Sequence, residues 1–270
     1  MSLDTTKAIF LDIDGTLLLH GKDPFTEDIE QLEEAHKQGH RVFLNTGRSL
    51  VNIPPCLLTA PYIDGIVAGG GAHVIINGKT IYHKWIPEDL LALICGYYLR
   101  SGRWCIFEGE TNIYGINYET GLAGLDFAIE ILPVKNPTDF STLYKGTRVT
   151  KLTMQGCVTD EERAALQDYF QLNPFPVYME GIIKGETKAS GMELALNALG
   201  IARENSIAIG DSVNDIAMLR FAGIGIAMGN ACDELKQIAN ALTLDCGHGG
   251  VAHAVKQWAL TSAAKPVLRR

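Results

Sequence analysis

The chain has 270 residues, 47% of them apolar, with 23 Lys plus Arg against 31 Asp plus Glu and a formal charge of −8. So much apolar material builds a sizeable core without staples. The acidic balance, with no basic run beyond Arg269-Arg270, excludes a general nucleic-acid surface, which needs clustered Lys and Arg. The longest apolar run falls far short of the ~18 residues a membrane span requires, and none of the six cysteines forms a CxxC pair. With no secretory leader evident, the expectation is free thiols and a cytoplasmic location, with no nucleic-acid or membrane partner.

The first elements follow a strand–helix–strand rhythm. AIFLDI (8–13) reads as a buried strand and TEDIEQLEEAHK (26–37) as a helix with a solvated face. That helix is expected to be capped by Thr26, to bury Ile29, Leu32 and Ala35, and to stop at Gly39. RVFLN is the next strand. GIVAGGGAHVIING is a third, interrupted by glycines and turning at Asn77-Gly78. Residues 82–185 have another texture, with helical PEDLLALICGYYLRSG and TDEERAALQDYFQL among strand-like RWCIFEG, NIYGIN, RVTKLTMQG and FPVYMEG. From Lys188 onward the rhythm of parallel βαβ units returns. The expected architecture is α/β: a Rossmann-like core from 1–81 and 186–270, carrying an α+β cap from 82–185.

Ligands of open parallel sheets bind beyond the carboxyl ends of the strands. The first strand runs into Asp12 and Asp14, which side-chain alternation would place on one face if the pleat continued, with Gly15 expected to let the chain bend there. The second runs into Thr46, Gly47 and Arg48, and SIAIG (206–210) into Asp211, with Asn214 and Asp215 opening the next helix. If these strands are neighbours, three or four carboxylates converge, which is costly without a cation. Mg²⁺ with a phosphate completing its shell suits such a set. A carboxylate nucleophile transfers phosphoryl groups through an aspartyl-phosphate. Lys188 and Thr46 are the right types to hold the phosphoryl oxygens, and a second carboxyl can serve as acid and base.

FLDIDGTLL, LNTGR, Lys188 and IGDSVNDIAML resemble, in that order, the four motifs of the haloacid dehalogenase superfamily. The long insertion, GGGAHVIINGKTIYHK and GHGGVAHAVKQ resemble its Cof-type phosphatases. The resemblance implies that Asp12 is nucleophile and Mg²⁺ ligand, and that Asp14 is general acid/base and ligand through its carbonyl. Thr46, Gly47, Lys188 and Asn214 would bind the phosphate. Asp211 would be the second carboxylate ligand, and Asp215 would bind the metal through water or orient Lys188. Two positions depart from the family pattern. Ala189 replaces the glycine after the lysine, and Gly70-Gly71-Ala72 replaces Asn-Gly-Ala. Lys184 is a nearby competitor for the role of Lys188.

The expected activity is Mg²⁺-dependent hydrolysis of small phosphomonoesters, sugar phosphates or phosphorylated cofactors, by a monomer or weak homodimer. The alternatives are a phosphomutase of the phosphomannomutase type and a non-catalytic sensor of a phosphorylated metabolite. Arg48 is evenly balanced between catalysis and a helix ion pair. Gly69–Gly71 read as a tight backbone crossing rather than a P-loop, and His248 and His253 as surface or packing residues. Trp104, Tyr114 and Tyr118 read as the core of a small domain before they read as substrate contacts.

Overall fold

The computed structural model describes residues 6–19, 23–120, 129–156 and 159–261. The chain forms two compact units. One comprises the described residues up to Gly47, Cys56–Tyr82, and those from Thr187 onward. The other is Arg48–Pro55 with His83–Glu186. Arg48–Pro55 follows directly on the second strand yet belongs to the second unit.

The first unit contains β1 (Ala8–Leu11), α1 (Thr26–Lys37), β2 (Arg41–Asn45), α2 (Pro55–Leu58, of which Cys56 onward lies in this unit), β3 (Gly65–Ala68), β4 (His73–Ile76) and β5 (Lys79–His83, in this unit as far as Tyr82). The second unit contributes α3 (Glu88–Ser101), β6 (Cys105–Gly109), β7 (Ile113–Ile116), β8 (Ile131–Pro133), β9 (Val149–Gln155), α4 (Asp160–Leu166), β10 (Phe170–Pro174) and β11 (Tyr178–Ile183). The chain then re-enters the first unit with α5 (Lys188–Leu199), β12 (Ser206–Gly210), α6 (Ile216–Phe221), β13 (Ile224–Ala227), α7 (Asp233–Ile238), β14 (Ala241–Leu242) and α8 (Gly250–Ala254).

The sheet of the first unit has the order β14-β13-β12-β1-β2-β3-β4-β5. Pairing is parallel from β14 to β3 and antiparallel between β3 and β4. Asn77 and Gly78 both take positive φ, 49° and 73°, the conformation a two-residue hairpin turn demands. The chain moves outward from β1 through β2 to β3 and, in the opposite sense, from β12 through β13 to β14. Right-handed crossovers then place α1 and α6 on opposite faces. Accordingly α1 packs on α8, and α5 on α6. The order reverses between β1 and β12, the position at which such sheets open a ligand crevice. β1 and β2 are fully buried apart from Arg41, and Phe10 stacks on Phe43 with centroids 4.8 Å apart.

Several sequence expectations are corrected. Thr26 is the exposed first residue of α1, and Phe25 occupies the cap position with no side-chain bond. Ile29 is only half-buried. The same helix is not wholly solvated on its polar face: Asp28 is fully buried and its Oδ1 accepts the Ala252 backbone N–H of α8 at 2.7 Å. The segment TDEERAALQDYFQL is helical only to Leu166, because its last residues pair with β11 as β10.

The second unit is a six-stranded sheet, β10-β11-β9-β6-β7-β8, antiparallel except between β7 and β8. Trp104 and Tyr114 are core residues, 3% and 2% exposed, and Tyr118 packs partly buried on the cluster around Trp104. A buried ionic group spans the sheet. Lys151 Nζ lies 2.6 Å from Glu180 and 3.5 Å from Glu108, whose other oxygen accepts from Ser49 at 2.7 Å. Among the described residues no helix is long and apolar enough to cross a membrane, and Cys56, Cys95, Cys105, Cys232 and Cys246 are free thiols. Cys157 lies outside the described residues.

Candidate active site

Asp12 follows β1 directly, and its backbone N–H donates to Ile209 of β12 at 3.0 Å, so its position is tied to the neighbouring strand. The residue is 4% exposed. The chain then coils tightly: Gly15 N–H bonds the Leu18 carbonyl at 2.9 Å, and Leu17 and Leu18 N–H both reach the Ile13 carbonyl at 3.0 Å. Asp14 lies half-buried in this coil, bridged to Leu18. Gly15 has φ +76°, and a Cβ on it would lie 2.4 Å from Asp211 Oδ2. Glycine is therefore required both for the left-handed backbone and for the room Asp211 occupies.

Thr46 follows β2, 1% exposed. Its N–H bonds the Val67 carbonyl at 2.9 Å and its carbonyl accepts the Gly70 N–H at 3.0 Å. Gly70 thus secures the Thr46 loop through its backbone, which the missing Asn side chain does not affect. The three glycines form the expected crossing. Gly71, at φ +111°, lies so close to the start of α5 that a Cβ would fall 2.1 Å from the Thr187 carbonyl oxygen.

Lys188 is the first residue of α5, behind a Thr187–Ser190 capping box. Its side chain is 2% exposed, and its ammonium contacts Asp215 Oδ1 at 2.6 Å, Asp12 Oδ1 at 2.8 Å and Asn214 Oδ1 at 3.1 Å. Asp215 is fully buried, and its other oxygen accepts the backbone N–H groups of Asp211 and Ser212, each at 3.0 Å. Asp211 is half-buried and its Oδ1 accepts from Thr16 at 3.2 Å. Gly47 is beside Asn214: a Cβ on it would be 3.7 Å from the Asn214 amide nitrogen.

Asp12, Asp14, Thr46, Gly47, Lys188, Asp211, Asn214 and Asp215 all belong to the first unit, at the carboxyl ends of β1, β2 and β12 or the start of α5. Lys184 does not: its ammonium donates to the Gln167 carbonyl at 3.1 Å in the second unit. Arg48 also falls in the second unit, donating to the Asn52 carbonyl at 2.8 Å. His253 bonds Thr243 at 3.0 Å and His248 is exposed.

Burial, then the Asp215 carboxylate, pushes the Asp12 carboxyl up to about 8 against the pull of Lys188. Burial and Asp215 likewise push Asp211 up to about 6, opposed by the Thr16 hydrogen bond. Burial disfavours the Lys188 charge, but Asp12 and Asp215 outweigh it and hold the ammonium well above the ordinary lysine range. One ammonium thus faces three carboxylates, whose oxygens approach within 4.8 Å of one another. An all-oxygen donor set with surplus negative charge fits a hard divalent cation.

Three supporting residues are given no role by the sequence, although Thr16 and Asn45 lie inside FLDIDGTLL and LNTGR. Thr16 orients Asp211, Asn45 Nδ2 donates to the Lys188 carbonyl at 3.0 Å, and Asn230 Nδ2 holds the Gly15 carbonyl at 2.9 Å. Each lies at or just beyond the carboxyl end of a parallel strand, the signal that all three share.

The model of the haloacid dehalogenase-like hydrolases matches residues 9–255. YkrA of Bacillus subtilis (strain 168) is 28% identical over 259 residues, covering 94% of this chain and 98% of that protein. YcsE of the same organism, a 5-amino-6-(5-phospho-D-ribitylamino)uracil phosphatase, is 28% identical over 255 residues, covering 94% and 96%. The solved structure of the sugar phosphatase BT4131, of subclass IIB, superposes with a TM-score of 0.79 at 31% identity, covering 95% of this chain and all of that one. With the motifs, the fold and the match along almost its whole length in agreement, the chain belongs to the haloacid dehalogenase-like hydrolases.

Proposed function

We propose that the protein is a Mg²⁺-dependent phosphatase of small phosphomonoesters that works through an aspartyl-phosphate on Asp12. The observation that supports this best is the Asp12 carboxylate itself. It sits at the strand-order reversal, in contact with the Lys188 ammonium and inside the carboxylate cluster. An Asp12 oxygen attacks phosphorus, the ester P–O bond breaks, and Asp14 delivers its proton to the leaving alkoxide. Asp14 then takes a proton from water, whose oxygen attacks the same phosphorus and releases inorganic phosphate and the Asp12 carboxylate. Lys188, Thr46, the Gly47 N–H and Asn214 hold the phosphoryl oxygens, and Asp215 orients Lys188. Mg²⁺, held by Asp12, Asp211 and the Asp14 carbonyl, would supply charge neutralisation on the phosphoryl group.

The substrate class follows the relatives. YcsE is named for a phosphorylated ribityl compound and BT4131 for sugars, so polyhydroxylated phosphate esters head the panel, phosphorylated cofactors follow, and a cytoplasmic site of action suits both. Residues 82–185 would read the leaving group while the core performs the chemistry. The test is phosphate release from such a panel with Mg²⁺ or EDTA, for the parent and Asp12→Asn. Metal-dependent release that vanishes in Asp12→Asn is expected; an Asp12→Asn protein with full activity refutes the mechanism.

A further inference from the structure

Asn45 is the last residue of β2 and is fully buried. Its Nδ2 donates to the Lys188 carbonyl at 3.0 Å and lies 3.4 Å from the Met218 sulfur of α6. Its Oδ1 has no hydrogen-bond partner among the described residues. A buried amide oxygen left unpaired costs stability that an apolar side chain of the same size would not. A position flanked by Met218 in a fully buried strand would, for packing alone, be filled by leucine.

We propose that Asn45 is a positioning residue for Lys188. This rests on the phosphate-binding role proposed above for that lysine. The Lys188 side chain meets its three acceptors at 2.6–3.1 Å, so it has little slack. Where its ammonium falls depends on where its backbone is held. The capping box sets how α5 begins along its own axis. The Asn45 amide ties that first turn to β2, the strand that also delivers Thr46. This hydrogen bond, across 143 residues of chain, adds to the glycine crossing in setting the two phosphate-binding groups against each other.

The test uses the full chain with Mg²⁺ and p-nitrophenyl phosphate as the probe. Asn45→Leu keeps the volume and removes the donor; Asn45→Ala guards against a leucine that fits badly. The expected result is a fall in kcat/KM of about 10- to 100-fold, the scale on which ångström misplacement acts, carried by kcat with KM nearly unchanged. The Tm of Asn45→Leu should equal or exceed the parent's. The Lys188 ammonium resonance, followed by NMR, should shift in both variants. Activity within twofold of the parent with that resonance unmoved overturns the proposal. So does activity that falls only with the folded fraction, or failure of both variants to fold, since either would make Asn45 a determinant of the fold alone. If the parent does not hydrolyse the probe, the phosphatase reading fails separately, and the ammonium resonance alone decides the role of Asn45.

Discussion

Replacing Lys188 by methionine tests the electrostatic logic of the site most directly. The Lys188 side chain is 2% exposed and its ammonium lies 2.8 Å from Asp12 and 2.6 Å from Asp215, whose side chains are 6% and 0% exposed. Removing one member of a buried ion pair typically costs about 3–5 kcal/mol, because the remaining charge is left uncompensated. For a chain of this size each kcal/mol lowers Tm by about 2–4 °C, so a fall of roughly 10 °C is expected at pH 8 in metal-free buffer. The loss has a ceiling. Asp12 already holds its proton up to about 8, and without Lys188 it holds it higher still, so the deficit shrinks toward pH 5. Asp12→Asn should by contrast cost little, since it leaves Lys188 balanced by Asp215. In Lys188→Met/Asp12→Asn only one buried carboxylate lacks a partner, so the double variant should recover about 1–3 kcal/mol relative to the sum of the singles. Thermal and denaturant unfolding of the four proteins, at pH 5.5 and 8, complete the cycle. A Lys188→Met protein within 1 kcal/mol of the parent at pH 8, or strict additivity to within about 0.5 kcal/mol, refutes the reasoning.

Two further outcomes follow from the same geometry. Gly15→Ala forces an L residue to φ +76° and drives a methyl group to 2.4 Å from Asp211 Oδ2. The backbone cost is about 1–2 kcal/mol; calorimetric titration should show Mg²⁺ affinity weakened at least tenfold, and unchanged affinity would show that Asp211 is not a ligand. The carboxyls of Asp12 and Asp211 are both raised, to about 8 and about 6. The folded metal-free protein therefore binds more protons than the unfolded chain above the ordinary carboxylate range, and its stability falls as pH rises through these values. On the proposed assignment, Mg²⁺ should reverse this by displacing the protons. Calorimetry at pH 7 in buffers of different ionisation enthalpy should show about one proton released per ion bound, and none at pH 9; no release at pH 7 contradicts the assignment.

The legible part of the molecule was local chemistry in repeated form. The apolar run before Asp12, the alternation of strands and helices, and the three strand-end motifs with the helix-start Lys188 depend on neighbours a few residues apart, and they survive folding unchanged. The expected glycine crossing at 69–71 and the aromatic core of Trp104 and Tyr114 also stand. Misreadings arose where tertiary context overrides local preference. Thr26 has the right chemistry for a cap, but the helix begins one residue earlier in register. Asp28 looks like a solvated carboxylate until Ala252, 224 residues away, claims it. Phe170–Leu172 ends a segment that reads as helix, yet pairs with Ile183, Ile182 and Gly181 of β11.

The sequence alone determined which functional groups the protein has, and that most sit at strand ends, because both are written in residue type and short-range spacing. Only the tertiary structure decided which of them meet. It brought the Lys188 ammonium to Asp12 and Asp215, while that of Lys184 donates to the Gln167 carbonyl. It turned Asp215 toward Lys188, and it placed Asn45, Thr16 and Asn230 behind the site. Those pairings cross up to 215 residues of chain, and no periodicity encodes them. They exist because parallel strands, once ordered, bring their carboxyl ends to one edge.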